Sequence, residues 1–199
     1  MRNTFLLLIL GTSLIGGTIV SCTREHIAPP QAPPVPMTYT DFKDSAIRFG
    51  KHASFDLDQN GSADIGFSTL LVSDPLTQTD KRQWYAFGTF NTFFAVNNNE
   101  EMPFLGVNVP ITKDAFSGYE WYNASSIVIA QQVLSNTEPP RWEGTWKEAT
   151  HRYFPLQVKR GDSLYHGWAE ISFRTADQQL YLHRAGLATV AGAAVRTGQ

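Results

Sequence analysis

The segment Tyr165-His166-Gly167-Trp168-Ala169-Glu170-Ile171-Ser172-Phe173-Arg174 decides the fold class. Tyr165, Gly167, Ala169, Ile171 and Phe173 fall on one side of a two-residue period; His166, Trp168, Glu170, Ser172 and Arg174 fall on the other. Side chains alternate across a β-strand, so this is a strand with one face turned to a core. Lys159-Arg160-Gly161-Asp162 precedes it as a turn, and before that Phe154, Leu156 and Val158 share a face over 152–158. The two runs form a hairpin. Pro155 is expected to place its strand at an edge or a bulge, because proline has no N–H for the ladder.

Outward from this hairpin, short β-branched and aromatic runs recur at 46–49, 54–57, 67–73, 83–90, 104–109, 126–133 and 179–187. Asn97-Asn98-Asn99, Pro103, Pro110 and Pro139-Pro140 separate them. Many short strands with turn residues between them predict an all-β fold, a single antiparallel β-sandwich or jelly-roll domain over 37–190. One short helix is expected at 113–122, and a small-residued flexible tail at 191–199.

The composition agrees. Of 199 residues, 42% are hydrophobic, 13% aromatic and 17% charged. Charged residues fall below the roughly 25% usual in soluble chains while aromatics abound, which excludes a disordered chain or a coiled coil. The net charge of −2, from 16 basic and 18 acidic side chains without a basic block, excludes a general nucleic-acid binder. A single cysteine excludes an intramolecular disulfide framework and any multi-cysteine zinc site.

Between two expected strands stands Asp56-Leu57-Asp58-Gln59-Asn60-Gly61-Ser62-Ala63-Asp64. Asp56, Asp58, Asn60, Ser62 and Asp64 put side-chain oxygens at alternate positions, with Gly61 free to turn sharply. Ca²⁺ takes about six to eight oxygen ligands, and such an alternation supplies a cage for it. Phe67 stands where an EF-hand would place a bidentate Glu, and the flanking residues are strand-like. The loop therefore resembles the Ca²⁺ loops that join strands in integrin-type propeller repeats and in many secreted bacterial proteins. Missing ligands would come from carbonyls, water or a distant carboxylate such as Asp41, Asp44 or Asp74. The competing reading is an Asx-rich hairpin turn without metal. Mutual repulsion of three carboxylates favours a bound, structural cation.

The first residues carry an address. Arg2 precedes the apolar run Phe5-Leu6-Leu7-Leu8-Ile9-Leu10, and 5–20 is too short and too interrupted for a spanning helix of about 20 apolar residues. The segment 1–21 is expected to be a signal peptide. Ile19-Val20-Ser21-Cys22 resembles the lipobox of bacterial lipoproteins of the Bacteroidota type. That resemblance implies cleavage before Cys22, acylation of that residue, and a place in the cell envelope, held at the outer membrane by lipid. Ordinary signal-peptidase cleavage, leaving a free Cys22, is the alternative. Five prolines in 27–36 favour an extended tether over 22–36.

The phrases Ser54 to Ile65 and Tyr165-His166-Gly167-Trp168-Ala169-Glu170-Ile171 together resemble a layout found in uncharacterised exported bacterial β-sandwich proteins. The resemblance implies a sandwich with the calcium loop near one edge, and it is silent on activity. Asp44-Ser45-Ala46 and Asp162-Ser163-Leu164 are similar to the short O-glycosylation acceptor pattern of Bacteroidota.

No nucleophile elbow, His-Glu-x-x-His pair, phosphate-cradling glycine loop or free catalytic cysteine is present, so no catalysis is expected. His166 and His183 are candidates to face each other on neighbouring strands, more as exposed strand residues than as catalysts. The enzyme alternative is a glycoside hydrolase-like reaction through a carboxylate pair drawn from Glu120, Glu143 and Glu170. The binding alternative is stronger. Trp121, Trp142, Trp146 and Trp168 are candidate ligand-stacking residues for a glycan or a protein partner. The same indoles are suited to closing the ends of the core, and Trp168 is expected either exposed or beneath a crossing loop.

Overall fold

In the computed structural model, which describes residues 34–123 and 125–199, the chain is an antiparallel sandwich with no helix among the described residues. The signal segment, Cys22 and nearly all of the tether lie outside those residues. The strands are β1 (Met37–Arg48), β2 (Ala53–Phe55), β3 (Ile65–Asp74), β4 (Thr79–Gly88), β5 (Thr92–Val96), β6 (Pro110–Ile111), β7 (Glu120–Tyr122), β8 (Ile127–Ser135), β9 (Arg141–Glu143), β10 (Arg152–Arg160), β11 (Ser163–Arg174), β12 (Gln179–Ala188) and β13 (Val195–Arg196).

One sheet has the order β1-β12-β11-β10-β5-β7 and the other β2-β3-β4-β8-β9. The hairpin read from 152–173 is the β10–β11 pair, in register from Arg152 opposite Ile171 to Arg160 opposite Ser163. Pro155 does not lie on an edge strand. It sits in β10, between the bridge of Leu105 to Tyr153 and the β5 ladder that begins at Leu156, where its second side has no ladder partner.

Ala169, Ile171 and Phe173 of β11 face the other sheet and are fully buried, among Phe67, Trp84, Phe94, Trp146 and Phe154. Edge-to-face pairs run through this core: Phe67 on Phe154 at 6.2 Å, Trp146 on Phe154 at 5.9 Å, and Trp84 on Phe173 at 5.5 Å. Each such pair adds about 0.5–1.5 kcal/mol beyond the area it buries.

The opposite face of β11 departs from simple alternation, because it too is covered. β6 and β13 pair as a small third layer, and Ile111, Val195, Tyr153, Trp168 and Ala188 form a second buried cluster beneath it. The tail expected to be flexible at 191–199 therefore holds a strand, with Val195 1% exposed. Apolar β-branched Val195 finds a buried partner in Ile111, a pairing across more than 80 residues that local composition does not reveal.

Two expected elements differ. The helix at 113–122 is absent: Tyr119 N–H closes a turn onto Phe116 C=O, Gly118 takes φ +81°, and β7 follows. The run at 104–109 contributes only the single bridge at Leu105. Ser45 Oγ is shut away from solvent, so the first acceptor-like tripeptide does not present its hydroxyl for glycosylation.

Candidate calcium loop and ligand face

The calcium-like loop joins β2 to β3, whose ladder ends with Phe55 opposite Ile65. Leu57 is 1% exposed and pins the loop to the core. Gln59 and Gly61 at φ +59° and +88° then fold the chain back sharply. This turn aims backbone N–H groups inward: Asn60 and Gly61 donate to Asp56 at 3.2 and 2.6 Å, and Leu57 and Asp58 donate to Asp64 Oδ2 at 2.9 and 3.2 Å. Carboxylate oxygens of Asp56, Asp58 and Asp64 converge within 4.8 Å of one another. Asn60 Oδ1 accepts the Ser62 N–H at 2.8 Å, an Asx turn at the exposed tip.

The electrostatics separate the three acids. Burial pushes the Asp64 carboxyl up, helped by the charges of Asp58 and Asp56 and opposed by the Leu57 and Asp58 N–H groups. At Asp56 burial also pushes up, but hydrogen bonds led by Gly61 and Asn60 outweigh it and hold the group below the ordinary carboxylate range. Asp58, with its side chain 1% exposed, meets Arg160 Nε of β10 at 2.7 Å. Three carboxylates and one guanidinium leave two negative charges, the charge a divalent ion would neutralise. The distant carboxylates considered from the sequence do not join: Asp41 accepts from Lys43 N–H, Asp44 from His183, and Asp74 from its own turn at Leu76 and Thr77.

Arg160 was not visible as a participant, because nothing in its neighbourhood marks it as facing residue 58. It also ties the loop to the opposite sheet, and Asp64 C=O does the same by accepting Thr92 Oγ1–H at 2.7 Å. The loop thus closes one end of the sandwich.

Of the four candidate tryptophans, two are buried in the core and two are partly buried against it. Trp146 and Trp168 are 1% and 0% exposed. Trp146 donates its indole N–H to Met102 C=O at 3.3 Å, and Trp168 lies under the β6–β13 layer against Tyr153. Trp142 packs on Trp84 and Phe173 at 5.4 and 5.3 Å, while Trp121 packs on the second cluster. Large apolar rings go where they remove the most area from water. Trp146 and Trp168 therefore have no face left for stacking on a ligand, whereas Trp121 and Trp142 keep part of their rings in solvent.

The carboxylates proposed as a catalytic pair are also kept apart. Glu143 belongs to β9 of the five-stranded sheet, whereas Glu170 and Glu120 lie in the other sheet, three strands from each other. At about 4.8 Å per strand, Glu170 and Glu120 are too distant for one glycosidic bond. His166 does not meet His183: its Nδ1 pairs with Ala193 C=O at 2.8 Å.

A different surface gathers polar and aromatic groups. On the outer face of the five-stranded sheet, Gln83 Nε2 donates to Gln131 Oε1 at 2.8 Å and Gln131 Nε2 to Glu143 Oε2 at 2.8 Å. The Gln131 hydrogen bond, with Arg141 behind it, outweighs burial and keeps the Glu143 carboxyl below its usual range. Beside this row stand Tyr85 and Phe87, ring centres 6.2 Å apart. Phe87 lies opposite Gly66 across the β3–β4 ladder, and a Cβ on Gly66 would collide with its ring. Two grooves of about 440 and 450 Å³ flank the row and share Ser126 and Val128. Gln83, Tyr85 and Phe87 show the two-residue period in the sequence, but the partners Gln131 and Glu143 come from strands about 50 and 60 residues away, which only the ladder brings alongside.

Protein-family models, curated proteins and solved structures yield no match to this chain.

Proposed function

We propose that this protein is a lipid-anchored envelope protein whose calcium-braced sandwich binds a glycan on the outer face of the five-stranded sheet. The observation that carries the binding reading is the row Gln83–Gln131–Glu143 beside Tyr85 and Phe87, opening into two adjoining grooves. A sugar ring offers an apolar C–H face and a rim of hydroxyls. Aromatic faces receive the first, and amide and carboxylate groups the second. Each glutamine spends one of its two N–H groups within the row, which leaves the other for a hydroxyl.

Anchoring rests on the sequence at Cys22 and the proline tether, and the brace rests on the charge balance at Asp56, Asp58, Asp64 and Arg160. A glycan array probed with the detergent-solubilised full chain tests the reading. Retention on a set of related glycans is expected, with Tyr85→Ala and Phe87→Ala each lowering it several-fold while melting temperature changes little. Absence of binding to every glycan, or binding indifferent to both substitutions, overturns it.

A further inference from the structure

On the outer face of the six-stranded sheet two bulges meet. In the β11–β12 ladder Glu170 pairs with Arg184 and Ile171 with Leu182, so His183 is the extra residue. Opposite it, β1 skips from Asp41 to Ser45. Lys43 and Asp44 within that skip take φ of 58° and 49°, a left-handed conformation that non-glycine residues rarely hold. The result places Asp44 Oδ1 2.6 Å from His183 Nδ1, and His183 Nε2 2.7 Å from Ser172 Oγ of β11.

The proton order along this line follows from chemistry. A carboxylate only accepts, so in the neutral form of His183 Nδ1 carries the hydrogen, Nε2 accepts, and the Ser172 hydroxyl donates to it; this is the form in which His183 acts as a base. Ser172 Oγ also accepts the N–H of His151, itself at φ 45°, at 2.9 Å. The His151 ring stacks on His183 with centres 4.1 Å apart, and its Nδ1 meets Glu170 Oε1 at 2.8 Å. The other Glu170 oxygen accepts Arg184 Nε–H at 2.8 Å. A groove of about 360 Å³ opens beside the cluster, lined by Tyr39, Asp44, His151, Glu170, His183 and Arg184, and Ser172 is reached from it past His183.

We propose that Ser172, His183 and Asp44 are the nucleophile, base and orienting carboxylate of an acyl-transfer site that hydrolyses esters of small acyl groups. Hydrogen bonds from nucleophile to base and from base to carboxylate are the geometric signature of an activated hydroxyl. Three left-handed non-glycine residues, Lys43, Asp44 and His151, surround this one line, and such strain concentrates where function demands it. Ser172 is 7% exposed and lies behind His183, which lines the groove, so only a slim acyl group would reach its hydroxyl.

In the reaction, Ser172 Oγ forms a bond to the ester carbonyl carbon as its proton passes to His183 Nε2. Arg184 and His151, bordering the groove, are the groups able to meet charge on the carbonyl oxygen. The carbonyl carbon–oxygen bond to the alcohol breaks, and the alcohol leaves with the proton from His183. Water then repeats the sequence on the acyl-serine, releasing the acid and restoring the hydroxyl. This site is independent of the glycan face, which lies on the other sheet.

A fluorophosphonate probe applied to the detergent-solubilised full chain, followed by peptide mass spectrometry, tests the proposal. A covalent adduct on Ser172 is expected, absent in Ser172→Ala. In His183→Ala the labelling rate should fall by about 10²-fold or more, the usual contribution of a general base. In Asp44→Asn the fall should be about tenfold, well short of the roughly 10⁴ of a buried triad aspartate, because the Asp44 side chain is 80% exposed. p-Nitrophenyl acetate should turn over faster than p-nitrophenyl octanoate. A brace with no chemistry would lose melting temperature in Ser172→Ala without any wild-type adduct. A folded wild-type chain without an adduct at Ser172 overturns the proposal, and adduct mapping on the wild type decides the matter even if a variant fails to fold.

Discussion

Replacing Arg160 by methionine separates a calcium site from a simple turn. Arg160 supplies the positive charge that Asp58 meets within the protein, at 2.7 Å, while the Asp58 side chain is 1% exposed and the Arg160 side chain 34%. Deleting one partner of a buried pair leaves an uncompensated charge at a cost of about 3–5 kcal/mol. One partner here is a third exposed, so solvent screening brings the figure to about 2–3 kcal/mol. The stacking of Arg160 on Tyr165, 4.4 Å from its ring centre, is lost as well. That contributes about 0.5–1 kcal/mol. For a domain of this size 1 kcal/mol moves the melting temperature by about 2–4 °C, so Arg160→Met in chelator should melt about 5–16 °C lower than the parent. In saturating Ca²⁺ the dication takes over the neutralisation of Asp58, and the deficit should shrink to the few degrees of the lost stacking. The variant should also bind Ca²⁺ at least tenfold more tightly, because a unit positive charge about 4 Å from a divalent ion costs about 8 kcal/mol at an effective dielectric of about 20. Thermal melts of both proteins, with chelator and with millimolar Ca²⁺, read the first effect, and titration calorimetry the second. An equal deficit in both conditions, with no heat of binding, would refute the calcium reading and leave the Asx turn with its arginine lid.

The same site predicts a pH dependence. Burial and its acidic neighbours raise the Asp64 carboxyl above the ordinary value in the metal-free fold, so its protonated form is the one that favours folding, and that contribution is lost as pH rises through the raised value. A cation reverses the preference by holding Asp64 ionised, so Ca²⁺ affinity should decline as pH falls toward that value; an affinity flat from neutral pH down to about 4 would exclude Asp64 as a ligand. A second prediction concerns the core. Trp146→Ala should cost about 3–5 kcal/mol, read as a large drop in melting temperature, because the indole is 1% exposed and packs on Phe154 and Phe104. A drop of under 1 °C would mean that the ring does not serve the core.

How much of this was legible in the chain depends on how local each signal was. The β10–β11 hairpin and the β2–β3 loop were legible because period-two patterning and an Asx-Gly turn act within ten residues. The strand at Val195 was not, because two short residues become a strand only when Ile111 lies beside them. The tryptophans were ambiguous for a physical reason. An indole four residues from another in a proline-flanked loop looks the same whether the loop folds inward or outward, and only the depth of Trp84, Phe154 and Phe173 beside them decides it. His183 shows the limit most clearly. A strict alternation along 179–187 would set His183 beside its even or odd neighbours, but the bulges in β1 and β12 break the period at that residue.

Bulges also explain why two of the three regions of interest lie where they do. A bulge releases one residue from the ladder and increases local twist, so a side chain there is aimed by the backbone and not by the pleat. On β12 it frees His183 to meet a carboxylate from the adjacent bulge of β1 on one side and a hydroxyl from β11 on the other. On β8 the skip between Ala130 and Val128 lets Val128 face the groove while Ile129 and Ala130 remain buried. The calcium-like loop needs no bulge, since Gly61 supplies the sharp return and Arg160 reaches it from the other sheet. A loop that is linked to β10 through Arg160 and to β5 through Thr92 stiffens the end of the sandwich where the β4–β5 turn also crosses between the two sheets. Cation binding there should therefore slow amide exchange in β5 and β10 as well as in the loop, a coupling that an isolated surface turn would not produce.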